Sequence, residues 1–136
     1  MENKKAYLIL TNNPLTKECI PADYLVELHD CTAREILIAV RDRIFLGHRL
    51  YTHPLSGSVK PNESPYKSVV ISRRPAHMEP EEAQIISDAI AVFDKFPPCR
   101  KELSEQVKRD FQLIDYSLLC SGLDVDAAAG LCRRKG

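Results

Sequence analysis

Several large classes of protein leave marks that this sequence does not carry. No stretch approaches the roughly 18 apolar residues of a membrane-spanning helix. The charged opening MENKK is followed by AYLIL, which is too short for the apolar core of a secretory signal. Nineteen basic residues balance nineteen acidic ones, so no overall charge draws the chain toward nucleic acid or an anionic membrane. Aromatics interleaved with basic residues are too few for a nucleic-acid surface. The five cysteines (Cys19, Cys31, Cys99, Cys120, Cys132) are odd in number, widely spaced and without a CxxC pair. Neither a disulfide framework nor a zinc ribbon is indicated, and reduced thiols in a cytoplasmic protein are expected. Walker A, GxGxxG and GxSxG patterns are all missing, which disfavours a nucleotide fold and a nucleophilic hydrolase. No metal site and no cofactor is read from these residues.

What remains is a chain of 136 residues, 44% hydrophobic and 28% charged, an ordinary composition for one soluble domain. We expect a single domain over residues 1–122 and a weakly structured tail over 123–136. Residues 5–11 form a short, nearly continuous apolar run, as in a strand buried on both faces. Asn12, Asn13 and Pro14 follow, a turn-initiating group that should leave two amides exposed at the strand's carboxyl end. Residues 24–28 read as a second strand, after a loop with room for a helical turn.

Thr32 and Glu35 have the spacing of a capping box, in which each side chain satisfies a backbone amide of the other. Ala33, Leu37, Val40 and Ile44 then line one helical face, and Gly47 supplies the stop. Residues 49–53 can form a short third strand and 67–72 a fourth, rich in β-branched residues. A second helix opens at Pro80 with acids in its first turn and buries Ala83, Ile86, Ile90 and Phe93. A third begins near Ser104, should bury Val107, Phe111, Ile114 and Leu118, and ends at Gly122. The expected fold is an α/β sandwich with a mainly parallel sheet of three to five strands and helices packed on it.

Residues 47–68 (GHRLYTHPLSGSVKPNESPYKS) stand apart. They hold three of the nine prolines, two of the five glycines and two of the four histidines. Loops longer than about 12–15 residues are usually functional or disordered, and Leu50, Leu55 and Tyr66 give this one apolar anchors. Together with TNNP at 11–14 and VRDRI at 40–44, the run resembles the GrdX family across roughly residues 5–96. Genes of that family lie in operons for glycine, sarcosine and betaine reductases. The resemblance implies an amino-acid reductase context, and hence reductase components as partners, without implying a reaction. That context is rich in thiol and selenol chemistry, so a redox or metal role for one cysteine stays open.

Within the stretch, Ser56, Gly57, Ser58 and Lys60 have the parts of an anion site: a turn that points amides inward, two hydroxyls and one cation. A satisfied Gly-Ser turn is the plainer alternative. Lys67 and Ser68 can add donors. Asn62 and Tyr66 either stabilise the loop or bind with it. His48 and His53 are each either a hydrogen-bonded loop histidine or, for His53, an acid–base group beside the loop. On a short strand they face opposite sides, which is poor geometry for one metal. Arg41 is either a solvated partner of Asp42 or a brace for the loop.

If the first and third strands are parallel neighbours, Asn12 and Asn13 meet this loop at one rim of the sheet. Two functions fit. One is a non-catalytic accessory protein that presents residues 47–68 to a protein partner or a small anion, with self-association left open. The other is a small enzyme or ligand sensor acting on a carboxylate or phosphate compound, with His53 as acid–base group.

Overall fold

The computed structural model describes residues 4–55, 63–97 and 102–126. After a short 3-10 turn, the order is β1 (Tyr7–Thr11), α1 (Pro14–Cys19), β2 (Leu25–Leu28), α2 (Ala33–Phe45), β3 (Ser68–Ser72), α3 (Pro80–Asp94) and α4 (Glu105–Leu123). Among the described residues the sheet has three strands in the order β2-β1-β3.

The sheet is mixed, not mainly parallel. β1 runs parallel to β2, with Ile9 opposite Val26, but antiparallel to β3, with Ile9 opposite Val70. The reason lies in the connection. A parallel return needs a crossover, usually a helix, whereas the proline-rich chain between residue 53 and β3 offers no helical pattern. Segment 49–52 and β3 accordingly pair antiparallel. The expected third strand shrinks to one antiparallel bridge, Leu50 to Ile71, at the outer side of β3. The Tyr51 amide donates to the Val70 carbonyl and the Ser72 amide to that of Arg49.

Alternating residues of the central strands enter two cores, as their apolar run requires. Leu8, Leu10, Val69 and Ile71 pack with Ile36, Leu37 and Val40 of α2 and Ile86, Ile90 and Phe93 of α3. Ile9 and Val70 face the other way, onto Leu15 and Cys19 of α1 and Tyr116, Leu119 and Cys120 of α4. The two-sided covering expected of β1 is present. Leu50 and Leu55 pack against the first core, as anchors should.

Local signals explain the helix ends. Both halves of the Thr32–Glu35 capping box are formed. Gly47 follows the end of α2 with φ +110, and a Cβ there would lie 2.7 Å from the Ala76 carbonyl oxygen. Asn13 and Pro14 do more than turn the chain. The Asn13 side chain accepts from the Leu15 amide, and Pro14 occupies the first turn of α1.

Two expectations for α4 are corrected. Gly122 lies inside the helix, which ends at Leu123 with Asp124 in the left-handed region. Its buried residues are Tyr116, Leu119 and Cys120, while Val107 and Ile114 are exposed and Phe111 and Leu118 half-buried. The helix is turned so that Gln112 and Asp115 face the sheet rim with their polar groups satisfied. Leu123 at its end and Val125 beyond it pack on the second core.

Candidate functional site

The first strand and segment 49–52 end at one edge of the sheet, though the two are not neighbours, and the expected meeting with Ser56 to Lys60 lies outside the described residues. Segment 49–52 and β1 are both antiparallel to β3, which lies between them, so both point the same way. Their carboxyl ends share one edge with the start of β3. Asn12, Asn13, His53, Lys67 and Ser68 gather there.

The expected exposed amides at Asn12 and Asn13 are not found. Asn13 is buried. Its Nδ2 donates to the Gln112 carbonyl at 2.9 Å and to Asp115 Oδ2 at 3.0 Å, which ties β1 to α4. Asn12 is half-buried and uses its whole amide on the backbone. Its Nδ2 donates to the carbonyls of Cys31 (2.9 Å) and Pro65 (2.8 Å), and its Oδ1 accepts from the Lys67 amide (2.8 Å). Both asparagines build the rim and keep no side-chain group for a ligand.

Ser68 is the polar hub. Its Oγ lies 2.7 Å from Thr11 Oγ1, 3.2 Å from Thr16 Oγ1, and donates to Asp115 Oδ2 at 2.7 Å. Beside this hub lies a cleft of about 320 Å³. One wall is residues 51–54, the second is Lys67 and Ser68, and the third is α4 at Asp115, Leu118, Ser121 and Gly122. Close approach of Gly122 to Thr52 draws the first and third walls together, since a Cβ there would meet Thr52 Cγ2 at 3.3 Å.

Two opposite charges line this cleft. Asp115 is half-buried as a residue, but its carboxylate sits deep. Burial pushes its pKa up, against hydrogen bonds from Ser68 and Asn13 and the charge of Lys67. Burial pulls the Lys67 ammonium down, and the Asp115 charge opposes that. Among the described residues the two charges feel each other without closing an ion pair, and Lys67 Nζ makes no hydrogen bond.

The other residues singled out by sequence divide as follows. His53 lines the cleft, and its Nδ1 accepts from the Leu55 amide at 3.1 Å, an arrangement that shapes the local turn. Tyr66 is at the rim, and its hydroxyl accepts from Gln112 Nε2 at 2.9 Å. His48 is elsewhere. It is buried at the far end of β3, where its Nδ1 donates to the Ser72 carbonyl at 2.7 Å. Arg41 pairs with the adjacent Asp42, and among the described residues it does not reach the loop. Ser56, Gly57, Ser58, Lys60 and Asn62 lie outside the described residues.

A larger hollow of about 710 Å³ opens on the other side of residues 63–66. Asn12, Cys31, Arg34, Tyr66, Phe93 and Phe96 are among its lining residues. The Cys31 thiol there is pushed up by burial and by the charges of Glu35 and Asp30, which keeps it protonated and a poor nucleophile. Among the described residues no group of His, Cys, Asp or Glu could hold a metal ion. Nor is any described helix long and apolar enough to cross a membrane.

Sequence reasoning did not single out Asp115, the residue most central to the cleft. Its signal was an acid immediately before Tyr116 in an otherwise uncharged helical window, a position that calls for partners if it is buried.

The family model described as GrdX-like protein matches residues 8–124. No curated protein and no solved structure matches the chain.

Proposed function

The chain belongs to the GrdX family, and from that membership we propose that it is a non-catalytic accessory protein of the glycine, sarcosine and betaine reductase systems. In this reading the stretch 47–68 meets a protein partner or a small anionic ligand, and of its described residues 51–54, Lys67 and Ser68 border the cleft with α4. The observation that supports it is the ammonium of Lys67. It is desolvated in an open cleft and lacks a hydrogen-bonding partner among the described residues. A carboxylate, from a small molecule or from a partner's side chain or terminus, supplies what it lacks. The asparagines and threonines around it are occupied in holding the rim, which favours recognition over reaction.

Affinity capture from cells expressing the reductase, with the natural chain and Lys67→Ala compared, tests the reading. Enrichment of reductase components that weakens in the variant supports a rim-mediated role. Equal recovery of those components with an unrelated bait counts against it.

The enzymatic alternative draws on one observation, that Lys67 and Asp115 both have shifted ionisation in a cleft. Its acid–base group is then better sought at these two than at His53, whose Nδ1 is engaged by the Leu55 amide.

A further inference from the structure

We propose that the rim cleft is a receptor for a small zwitterion, a molecule carrying a carboxylate and a protonated amine, with Lys67 receiving the carboxylate and Asp115 the cationic nitrogen. The inference rests on the ligand-binding branch of the function proposed above and narrows its chemistry.

The argument begins with what the cleft does to charge. Lys67 and Asp115 sit on adjoining walls of one polar hollow of about 320 Å³, enough for a molecule of several heavy atoms. Each is desolvated, and among the described residues they form no ion pair with each other. The two charges act on each other without closing an ion pair, and among the described residues neither has another counter-charge. Asp115 is fixed from behind by Ser68 Oγ at 2.7 Å and Asn13 Nδ2 at 3.0 Å, so it cannot swing across to Lys67 without breaking both bonds. Both of these bonds fall on the same oxygen, Oδ2.

A simple anion bound at Lys67 would gain one attraction and incur a repulsion from Asp115 in a medium that screens poorly. A simple cation at Asp115 meets the reverse. A zwitterion brings one charge of each sign, makes both attractions at once and leaves the net charge of the cleft unchanged. Matching its two charges to two fixed ones also confers selectivity, since a molecule lacking either group leaves a buried charge uncompensated. Ser121 and Thr52 at the border of the cleft can serve only as accessory hydroxyls.

The test is isothermal titration of the full chain with glycine, β-alanine and 4-aminobutyrate, whose charges are progressively farther apart. Acetate, propionate and butyrate serve as matched anions, and methylamine, ethylamine and propylamine as matched cations. At least one amino acid should bind tenfold or more tighter than its matched anion and its matched cation. Lys67→Gln, which removes a charge without touching the Ser68–Asp115–Asn13 bonds, should lower that affinity at least tenfold. Asp115→Asn should do the same where it folds, and Lys67→Gln carries the test if it does not. Equal affinity for the anions and the amino acids overturns the zwitterion and leaves the anion reading intact. Absence of binding by either class overturns both and leaves the partner-docking branch. Undiminished amino-acid binding by Lys67→Gln places the site elsewhere and overturns the proposal.

Discussion

The hydroxyl of Ser68 donates a 2.7 Å hydrogen bond to the carboxylate of Asp115, so the first residue of β3 and the middle of α4 are joined at one point. Asn13 reaches the same oxygen from the end of β1. Replacing Asp115 by alanine removes the acceptor from both donors and leaves them without it inside the rim. A loss of about 2–3 kcal/mol in unfolding free energy is expected, measured by urea denaturation. A change under about 0.5 kcal/mol would mean that α4 is held by its apolar face alone.

The same carboxylate gives a pH signature. Burial raises its folded-state pKa, so below the ordinary aspartate range it is protonated in both states and costs nothing. As pH climbs from that range toward the raised value, the unfolded chain releases its proton first and stability falls. Asp115→Asn removes this contribution. The stability of the natural chain relative to Asp115→Asn should therefore decline with rising pH over that interval. A constant difference in melting temperature from pH 3 to 8 is the contrary result.

Glu82 shows the opposite sign. Burial alone would raise its pKa, but hydrogen bonds from Arg49 and from the Leu50 amide outweigh it and leave the value lowered. Its contribution is full above the ordinary glutamate range and disappears as pH falls through the lowered value. Because Glu82 Oε1 accepts from the Leu50 amide at 2.8 Å, it also fastens segment 49–52 to α3. Glu82→Ala should cost about 1–2 kcal/mol at neutral pH. Faster amide exchange at Leu50 and Tyr51 should accompany it, and unchanged exchange there would show that the fastening is immaterial.

Gly47 should tolerate no side chain. Its φ of +110 is unfavourable for L residues, and the added Cβ of Gly47→Ala would press on the Ala76 backbone. A cost of about 2–3 kcal/mol is expected, read as a lower denaturation midpoint with the same slope. An unaltered midpoint would mean that the chain after α2 can relax at no cost.

Removal of the Thr32 hydroxyl tests the cap of α2. Its Oγ1 accepts from the Glu35 amide at 3.1 Å, and Glu35 Oε1 accepts from the Thr32 amide at 3.0 Å. Thr32→Ala should cost about 1 kcal/mol, whereas Thr32→Ser should cost far less. Equal losses for the two would implicate the methyl group instead of the cap.

What the sequence disclosed tracks how local each cause is. Thr32 and Glu35 are three residues apart and settle their own helix start, so the capping box was readable at once. The same holds for Pro80 and the face from Ala83 to Phe93. Strand direction was not local. It depended on the lack of a helical sequence pattern between residue 53 and β3, a cue that was present and points to an antiparallel return. In α4 two overlapping apolar stripes competed, one through Phe111 and Ile114, the other through Tyr116 and Leu119. The choice was made by Asp115 and Gln112, whose partners lie 47 residues away at Ser68 and 99 away at Asn13. No spacing rule within the helix reveals such pairs. At the rim, residue type was informative but role was not: Asn12 and Asn13 were found where expected, with their amides already committed.

Asn12 grips the backbone on both sides of Tyr66, at the Pro65 carbonyl and the Lys67 amide, and so holds upright a partition one chain thick. Tyr66 borders the larger hollow and Lys67 the smaller, back to back in consecutive residues. Both chambers therefore share one wall, so a displacement that follows the loss of the Asn12 amide alters the two together.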